Sequence, residues 1–191
     1  SDYDPLGSAY AADMGITVLN DYYKILAEQL PLAILINTIM GLVQCFGEEF
    51  AWRGYLLLKL SKKLCIWKAT LLTGVIWGIW HSPIIFMGFN YGTVHPVFGI
   101  FAMILFSTVM GTITAYLFFK TGSVWPAVLF HASVNAIDLF SPSDLFMSGT
   151  VNTFIGPDQT GIIGGIGFVI VAAVCFIYIY KNKQTTGGAA V

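Results

Sequence analysis

The chain has 191 residues, of which 57% are hydrophobic and 10% are charged, and its mean hydropathy is +0.77. Soluble domains usually contain about 25% charged residues, so a water-soluble fold of this size would lack the polar side chains needed to cover its surface. The net charge of −1, without a basic patch outside short loops, argues against nucleic acid as a partner. These properties predict an integral membrane protein.

The first 24 residues are acidic and lack the charged start and apolar core of a signal peptide. We interpret residues 1–24 as an extramembrane or interfacial segment, residues 25–181 as a transmembrane core and residues 182–191 as a C-terminal tail. Because the chain begins with Ser1 rather than methionine, we expect a fragment or processed product from which upstream helices are missing.

Five apolar stretches follow, each of which reaches or nearly reaches the roughly 20 residues that a helix needs to cross a bilayer core. They are too long and too continuously apolar to be the strands of a membrane barrel. The predicted spans are residues 25–58, 64–86, 96–119, 124–140 and 160–180. We therefore predict an all-α, polytopic transmembrane bundle of about five spanning helices around an intramembrane polar cavity.

Two pairs of glycines, Gly74 with Gly78 and Gly161 with Gly165, have the four-residue spacing that allows two helices to approach closely. We interpret both pairs as packing positions. The three cysteines have no paired spacing and are interpreted as small apolar side chains rather than disulfide partners or metal ligands.

Lysines occur between the first and second spans, between the third and fourth, and after the fifth. They are Lys59, Lys62, Lys63, Lys68, Lys120, Lys181 and Lys183. Five alternating helices would place all of them on one side, which the positive-inside rule assigns to the cytoplasm. We therefore predict a multi-pass membrane protein with the lysine-rich loops and the C-terminus in the cytoplasm. As a separate expectation, the membrane is that of a bacterial cell.

Three of the predicted spans carry polar side chains, and ionisable groups at membrane depth cost about 2.5–3.5 kcal/mol or more and are functional candidates by default. These residues are Glu48, Glu49, Arg53, His81, His131 and Asn135. Glu48, His81 and His131 lie 11 to 13 residues from the nearest lysine of the lysine-rich side. At about 1.5 Å per residue, all three lie at a depth of about 16–20 Å. One shared depth on three helices predicts one shared site.

The spacing within each helix suggests roles in peptide hydrolysis. Glu49 and Arg53 are four residues apart and can form an ion pair, which leaves Glu48 as a general base. His81 could hold the attacking water, whereas His131 and Asn135 could donate to the oxyanion. Alternatively, a glutamate and two histidines (Glu48, His81 and His131) form the kind of ligand set that catalytic zinc prefers. The residues alone do not separate these two mechanisms.

The combination of three motifs resembles the CAAX protease and bacteriocin-processing (CPBP) family, also called Rce1-like. The motifs are Glu48-Glu49-xxx-Arg53, Trp77-xxx-His81 and His131-xxx-Asn135, within a resemblance that covers about residues 28–181. The resemblance implies an intramembrane endopeptidase in which the first glutamate and the first histidine activate water. The second histidine and the asparagine would stabilise the oxyanion, and the Glu49–Arg53 pair would support the site. Trp77 stands where the family often has phenylalanine.

The family has been described both as metallopeptidases and as metal-free glutamate peptidases, and we prefer the mechanism without a cofactor, with Zn²⁺ as the alternative. The expected partners are the lipid bilayer and a peptide or protein substrate, either prenylated or a bacteriocin-like precursor. Two other functions use the same residues: a non-catalytic immunity or peptide-binding protein, and a small transporter. The lack of an inverted repeat in the sequence argues against the transporter.

Overall fold

The chain folds into a helical membrane protein, and the computed structural model describes residues 2–182. The predicted tail therefore lies, apart from its first residue, outside the described residues. In chain order the elements are β1 (Asp2–Tyr3), a 3-10 turn (Pro5–Gly7), α1 (Ala9–Met14), α2 (Leu19–Glu49), a π-helical stretch (Phe50–Leu57), α3 (Leu58–Ser61), α4 (Ile66–Trp80), α5 (Ser82–Phe86), α6 (Pro96–Thr121), α7 (Trp125–Asp138), α8 (Pro142–Phe146), β2 (Met147–Ser148) and α9 (Ile162–Lys181).

Each of the five apolar stretches predicted from the sequence overlaps one of the helices α2, α4, α6, α7 and α9. Three continuous helical segments are long and apolar enough to cross a membrane: Leu19–Ser61, Pro96–Thr121 and Ile162–Lys181. Helices α4 and α7 have 15 and 14 residues. At a rise of about 1.5 Å per residue, a helix of either size is shorter than the thickness of a bilayer core, about 30 Å. Length alone therefore gives three candidate spans rather than the predicted five.

The first long helix is wound more widely in its last third than in the rest. Helix α2 continues without a break through the π-helical stretch into α3, as one helical segment of 43 residues. Single π turns inside helices are often found at functional sites, and this stretch begins directly after Glu49. The helix also begins at Leu19, so the predicted boundary between residues 24 and 25 falls inside it.

The N-terminal segment is folded back onto the loop between α7 and α9. Strand β1 pairs with β2 in a short antiparallel ladder, with Asp2 opposite Ser148, which the sequence did not predict. The buried side chains of Ala11 and Tyr22 pack against Leu145 of α8, and the Tyr22 hydroxyl donates to the Leu145 carbonyl. This packing holds the loop in place at one end of the bundle.

Glycines bring α4 and α6 into backbone contact. A Cβ atom added at Gly78 would lie 2.4 Å from the Cα atom of Ile104, and one added at Gly74 would also meet the α6 backbone. The first glycine pair is therefore confirmed as a helix-packing site. The second pair is not: a Cβ atom at Gly161 would meet the carbonyl oxygen of Gly156 at 2.5 Å, within the loop that precedes α9.

Substituting alanine for Gly78 should destabilise the protein, because the added methyl group would overlap backbone atoms that cannot rotate away. Overpacking of this kind costs about 1–3 kcal/mol. Gly167→Ala in α9 is the matched control, since a Cβ atom there meets nothing within 4 Å. Thermal unfolding of both variants in detergent measures the difference, and equal Tm values would contradict the contact between α4 and α6.

Candidate active site

The predicted polar side chains of α2, α4 and α7 meet at one cleft with a volume of about 310 Å³. Its lining includes Glu48 from α2, His81 from the end of α4, and His131 and Asn135 from α7. Apolar and aromatic side chains of α4 and α6, among them Phe106, form a further part of the wall, and loop residues complete it. The structure thus brings together the four residues to which sequence analysis assigned catalytic roles.

Trp77 connects the first glutamate with both histidines. Its indole nitrogen donates a hydrogen bond to Oε2 of Glu48 at 3.0 Å, and its carbonyl oxygen lies 2.9 Å from Nδ1 of His81. The indole ring also makes an edge-to-face contact with the His131 ring, with the centroids 5.2 Å apart. The sequence indicated only an aromatic position at Trp77. The available signal was that a buried indole N–H usually finds an acceptor.

The hydrogen bond of His81 determines which ring nitrogen is free. A carbonyl oxygen can only accept, so Nδ1 of His81 carries the hydrogen that it shares with the Trp77 carbonyl. In the neutral ring, Nε2 is then the nitrogen with a free lone pair. His81 can therefore accept a hydrogen bond or a proton from a water molecule at Nε2.

The second glutamate has two partners. Oε1 of Glu49 accepts from Nη1 of Arg53 at 3.0 Å and contacts Nδ1 of His131 at 2.9 Å. Glu49 is 0% exposed and Arg53 is 1% exposed. The ion pair predicted from their spacing is present, whereas the contact with His131, 82 residues away, could not be read from spacing within one helix. Glu49 orients His131 by holding its Nδ1 hydrogen.

The Arg53 guanidinium is enclosed by two neighbouring helices. Its central carbon lies 4.6 Å from the Trp77 ring centroid, an arrangement typical of a cation–π contact. On the α6 side, a Cβ atom at Gly111 would lie only 3.1 Å from Nη2 of Arg53, so the absence of a side chain there leaves room for the guanidinium. The ion pair therefore joins α2, α4 and α6 around the site.

Asn135 lies one turn after His131 on α7. Its Nδ2 atom makes a weak contact of 3.6 Å with Sγ of the buried Cys45 on α2. The carboxamide is exposed and lines the cleft on the same side as His131. An amide N–H at this position can donate to a developing negative charge.

The arrangement does not match the zinc alternative. Within residues 2–182, no three His, Cys, Asp or Glu side chains are grouped so that they could hold a metal ion. The three residues suggested as zinc ligands therefore line one cleft without forming a ligand set.

The fold and the cleft define a helical membrane protein with glutamate, histidine and asparagine side chains gathered between its helices. Comparison with known proteins gives the family: the model described as Type II CAAX prenyl endopeptidase Rce1-like matches residues 30–137, which include all three motifs. The chain belongs to this Rce1-like family, so the resemblance seen in the sequence is confirmed.

Two curated proteins are similar to the chain. CAAX prenyl protease 2 of Methanococcus maripaludis is 31% identical over 94 residues, which cover 46% of this chain and 34% of that protein. Lysostaphin resistance protein A of Staphylococcus haemolyticus is 24% identical over 166 residues, which cover 84% of this chain and 42% of that protein. The chain thus spans well under half the length of either relative. No solved structure matches it.

Proposed function

We propose that the chain is the catalytic core of an intramembrane endopeptidase that cleaves a prenylated, CAAX-type peptide or protein. The observation that carries this proposal is the convergence of Glu48, His81, His131 and Asn135 on one cleft. Family membership supports a peptidase of the CAAX type. A protein that only binds peptides has no need for both a base and an oxyanion donor in the same cleft.

Glu48 and His81 are the water-activating pair in this mechanism. Trp77 holds both of them, through its indole N–H and its carbonyl oxygen, and leaves one carboxylate oxygen of Glu48 and Nε2 of His81 for the water. The water oxygen attacks the carbonyl carbon of the scissile bond while Glu48 takes its proton. When the C–N bond breaks, Glu48 returns that proton to the leaving amine.

His131 and Asn135 stabilise the oxyanion that forms during the attack. Asn135 donates from its amide nitrogen, and His131 donates from Nε2, which requires the ring to carry both protons because Nδ1 already bonds Glu49. Glu49 provides the compensating negative charge, and Arg53 keeps Glu49 in position at 3.0 Å. Fixed donors of this kind typically contribute about 10²–10³-fold to kcat.

The membrane arrangement in this proposal has five spans. Helices α4 and α7 are short by themselves, but a bilayer can become locally thinner around a span that is shorter than its hydrocarbon core. Residues 25–181 then form the membrane core, residues 1–24 lie at its surface, and the lysine-rich loops face the cytoplasm. In this arrangement the cleft lies between the spans. The end of the cleft that is lined by loops lies towards the side of the membrane opposite the lysines.

The proposed reaction uses no metal ion. The two carboxylates and the two histidines already have protein partners that orient them for proton transfer and oxyanion binding. A chelator such as 1,10-phenanthroline should therefore leave turnover unchanged. Stoichiometric zinc in the purified protein, together with loss of turnover on its removal, would contradict this part of the proposal.

Peptide cleavage in liposomes tests the function directly. The purified protein is reconstituted and given a quenched, farnesylated peptide with a CAAX carboxyl terminus, together with the same peptide without the farnesyl group. We expect cleavage of the farnesylated peptide well above that in empty liposomes, and mass spectrometry identifies the cleaved bond. If the protein binds these peptides and a broader panel but cuts none, the chain is a peptide-binding protein and the enzymatic proposal is wrong.

A further inference from the structure

The end of the cleft farthest from Glu49 is lined by a second group of polar residues that the proposed mechanism does not use. Asp138 lies at the end of α7, Asn90 in the loop after α5, and Gln159 and Thr160 in the loop before α9. All four line the same cleft as the proposed catalytic residues. A substrate bound across the catalytic residues would extend towards them.

This second group has more hydrogen-bond acceptors than donors. Oδ1 of Asn90 and Oε1 of Gln159 are buried and have no hydrogen-bond partner within the described part of the chain. The Gln159 side chain lies beside the Asp138 carboxylate and can donate to it from its amide nitrogen. Because a carboxylate only accepts, the amide nitrogen of Gln159 faces Asp138. The amide oxygen of Gln159 is then left without a hydrogen-bond donor. Buried oxygens without donors are costly unless a ligand supplies the donors.

The charges around the cleft favour the same kind of ligand. Glu48 and Asp138 are the acidic residues in its lining, and among residues 2–182 neither lysine nor arginine lines it. The nearest buried cation, Arg53, is paired with Glu49. In the proposed mechanism the His131 ring in this lining is also charged, but Glu49 compensates it. The charges that remain unpaired in the lining are therefore acidic, and such charges attract a ligand of the opposite sign.

The loops that carry these acceptors are connected to each other. The Tyr91 hydroxyl donates to the Thr160 carbonyl at 3.2 Å, and the Tyr91 ring stacks on Phe154 with the centroids 5.3 Å apart. Burial raises the pKa of Tyr91 to about 12, so its hydroxyl remains a donor at neutral pH. The acceptor group is therefore held in one arrangement before a ligand arrives.

We propose that Asp138, Asn90 and Gln159 form a subsite that binds a positively charged side chain, lysine or arginine, of the peptide substrate. An ammonium or guanidinium group supplies several N–H donors and a positive charge, which matches one carboxylate and two unpaired amide oxygens. The proposal rests on the proposed peptidase function and adds a preference for a basic residue to it.

The position of the subsite predicts how many residues separate the basic residue from the scissile bond. His131, Asn135 and Asp138 are spaced at i, i+4 and i+7, so they lie on one face of α7. Seven residues of helix correspond to about 10 Å along the axis, which is about three residues of an extended peptide. The basic residue should therefore lie about three positions from the scissile bond.

A lysine scan with non-hydrolysable peptides tests the subsite separately from catalysis. Farnesylated CAAX peptides in which the scissile amide is replaced by a reduced bond carry lysine, or its uncharged analogue norleucine, at each position on either side except the farnesylated cysteine. Binding to the protein in detergent is measured by fluorescence anisotropy. We expect one position, about three residues from the reduced bond, at which lysine binds about tenfold more tightly than norleucine, the effect of a hydrogen bond to a charged group.

Two variants decide whether Asp138 causes the preference. Asp138→Asn should abolish the discrimination between lysine and norleucine. Asp13→Asn, the same change at an exposed residue of α1, should leave it intact. The proposal is overturned if no position discriminates, or if Asp138→Asn retains the preference. The binding assay does not depend on turnover. If the parent protein cleaved no peptide, the peptidase function would be refuted, but the binding preference and its dependence on Asp138 would still be measured independently.

Discussion

Replacing Glu48 with glutamine should reduce kcat by about 10²–10⁴-fold, the usual contribution of a general base. The glutamine side chain has the same shape and can still accept from Trp77 through its oxygen, which in the parent lies 3.0 Å away. It cannot, however, take a proton from water. Because Glu48 lines the cleft and is only partly buried, its replacement should leave Tm nearly unchanged. Single-turnover cleavage of the farnesylated peptide in liposomes measures the effect.

Glu28→Gln provides the matched control for this experiment. It makes the same chemical change on the same helix, at an exposed residue far from the cleft. We expect parental kcat and KM for this variant. If Glu48→Gln cleaves at the parental rate, Glu48 is not the base, and the assignment of water activation to this glutamate fails.

The second large effect concerns stability. Replacing Arg53 with methionine should lower the free energy of unfolding by about 3–5 kcal/mol, the usual cost of removing one partner of a buried ion pair. Glu49 is 0% exposed, and its buried negative charge would keep the His131 ring as its one hydrogen-bond partner among residues 2–182. Methionine fills a similar volume and keeps an apolar contact with Trp77, so the loss reports charge rather than a cavity. Denaturation in mixed detergent micelles measures it.

The double variant Glu49→Gln with Arg53→Met separates electrostatics from packing. Removing both charges should recover most of the lost stability, because neither member of the ion pair is then left buried without its partner. Activity should not return, since His131 would then lack the carboxylate that holds its Nδ1 hydrogen at 2.9 Å. A double variant no more stable than Arg53→Met would show that the pair does not act through its charges.

Much of the fold could be predicted from the pattern of apolar residues. A continuous apolar run must form its backbone hydrogen bonds internally in a bilayer, so it can be read as a helix. The five predicted stretches do overlap α2, α4, α6, α7 and α9. The short ladder between Asp2 and Ser148 could not be predicted, because two-residue strands depend on a distant partner rather than on their own composition. The π-helical winding after Glu49 likewise had no signal in the sequence.

Part of the candidate site could also be predicted, because the position of a residue along its helix determines its depth in the membrane. Counting residues from the lysines placed Glu48, His81 and His131 at one depth, and the structure brings them to one cleft. Counting could not give the direction in which each side chain points around its helix. The role of Trp77 as a shared partner of Glu48 and His81 was therefore missed, as was the acceptor group around Asp138.

By itself, the sequence determined that this protein is helical, that it belongs in a membrane and that Glu49 can pair with Arg53, because composition and spacing along one helix set these properties. Only the tertiary structure decided that Glu49 also holds His131 and that Trp77 holds Glu48. Contacts between helices depend on how each helix is rotated and displaced along its axis. In this protein that placement is set by close approaches such as Gly78 against Ile104, which no single helix specifies.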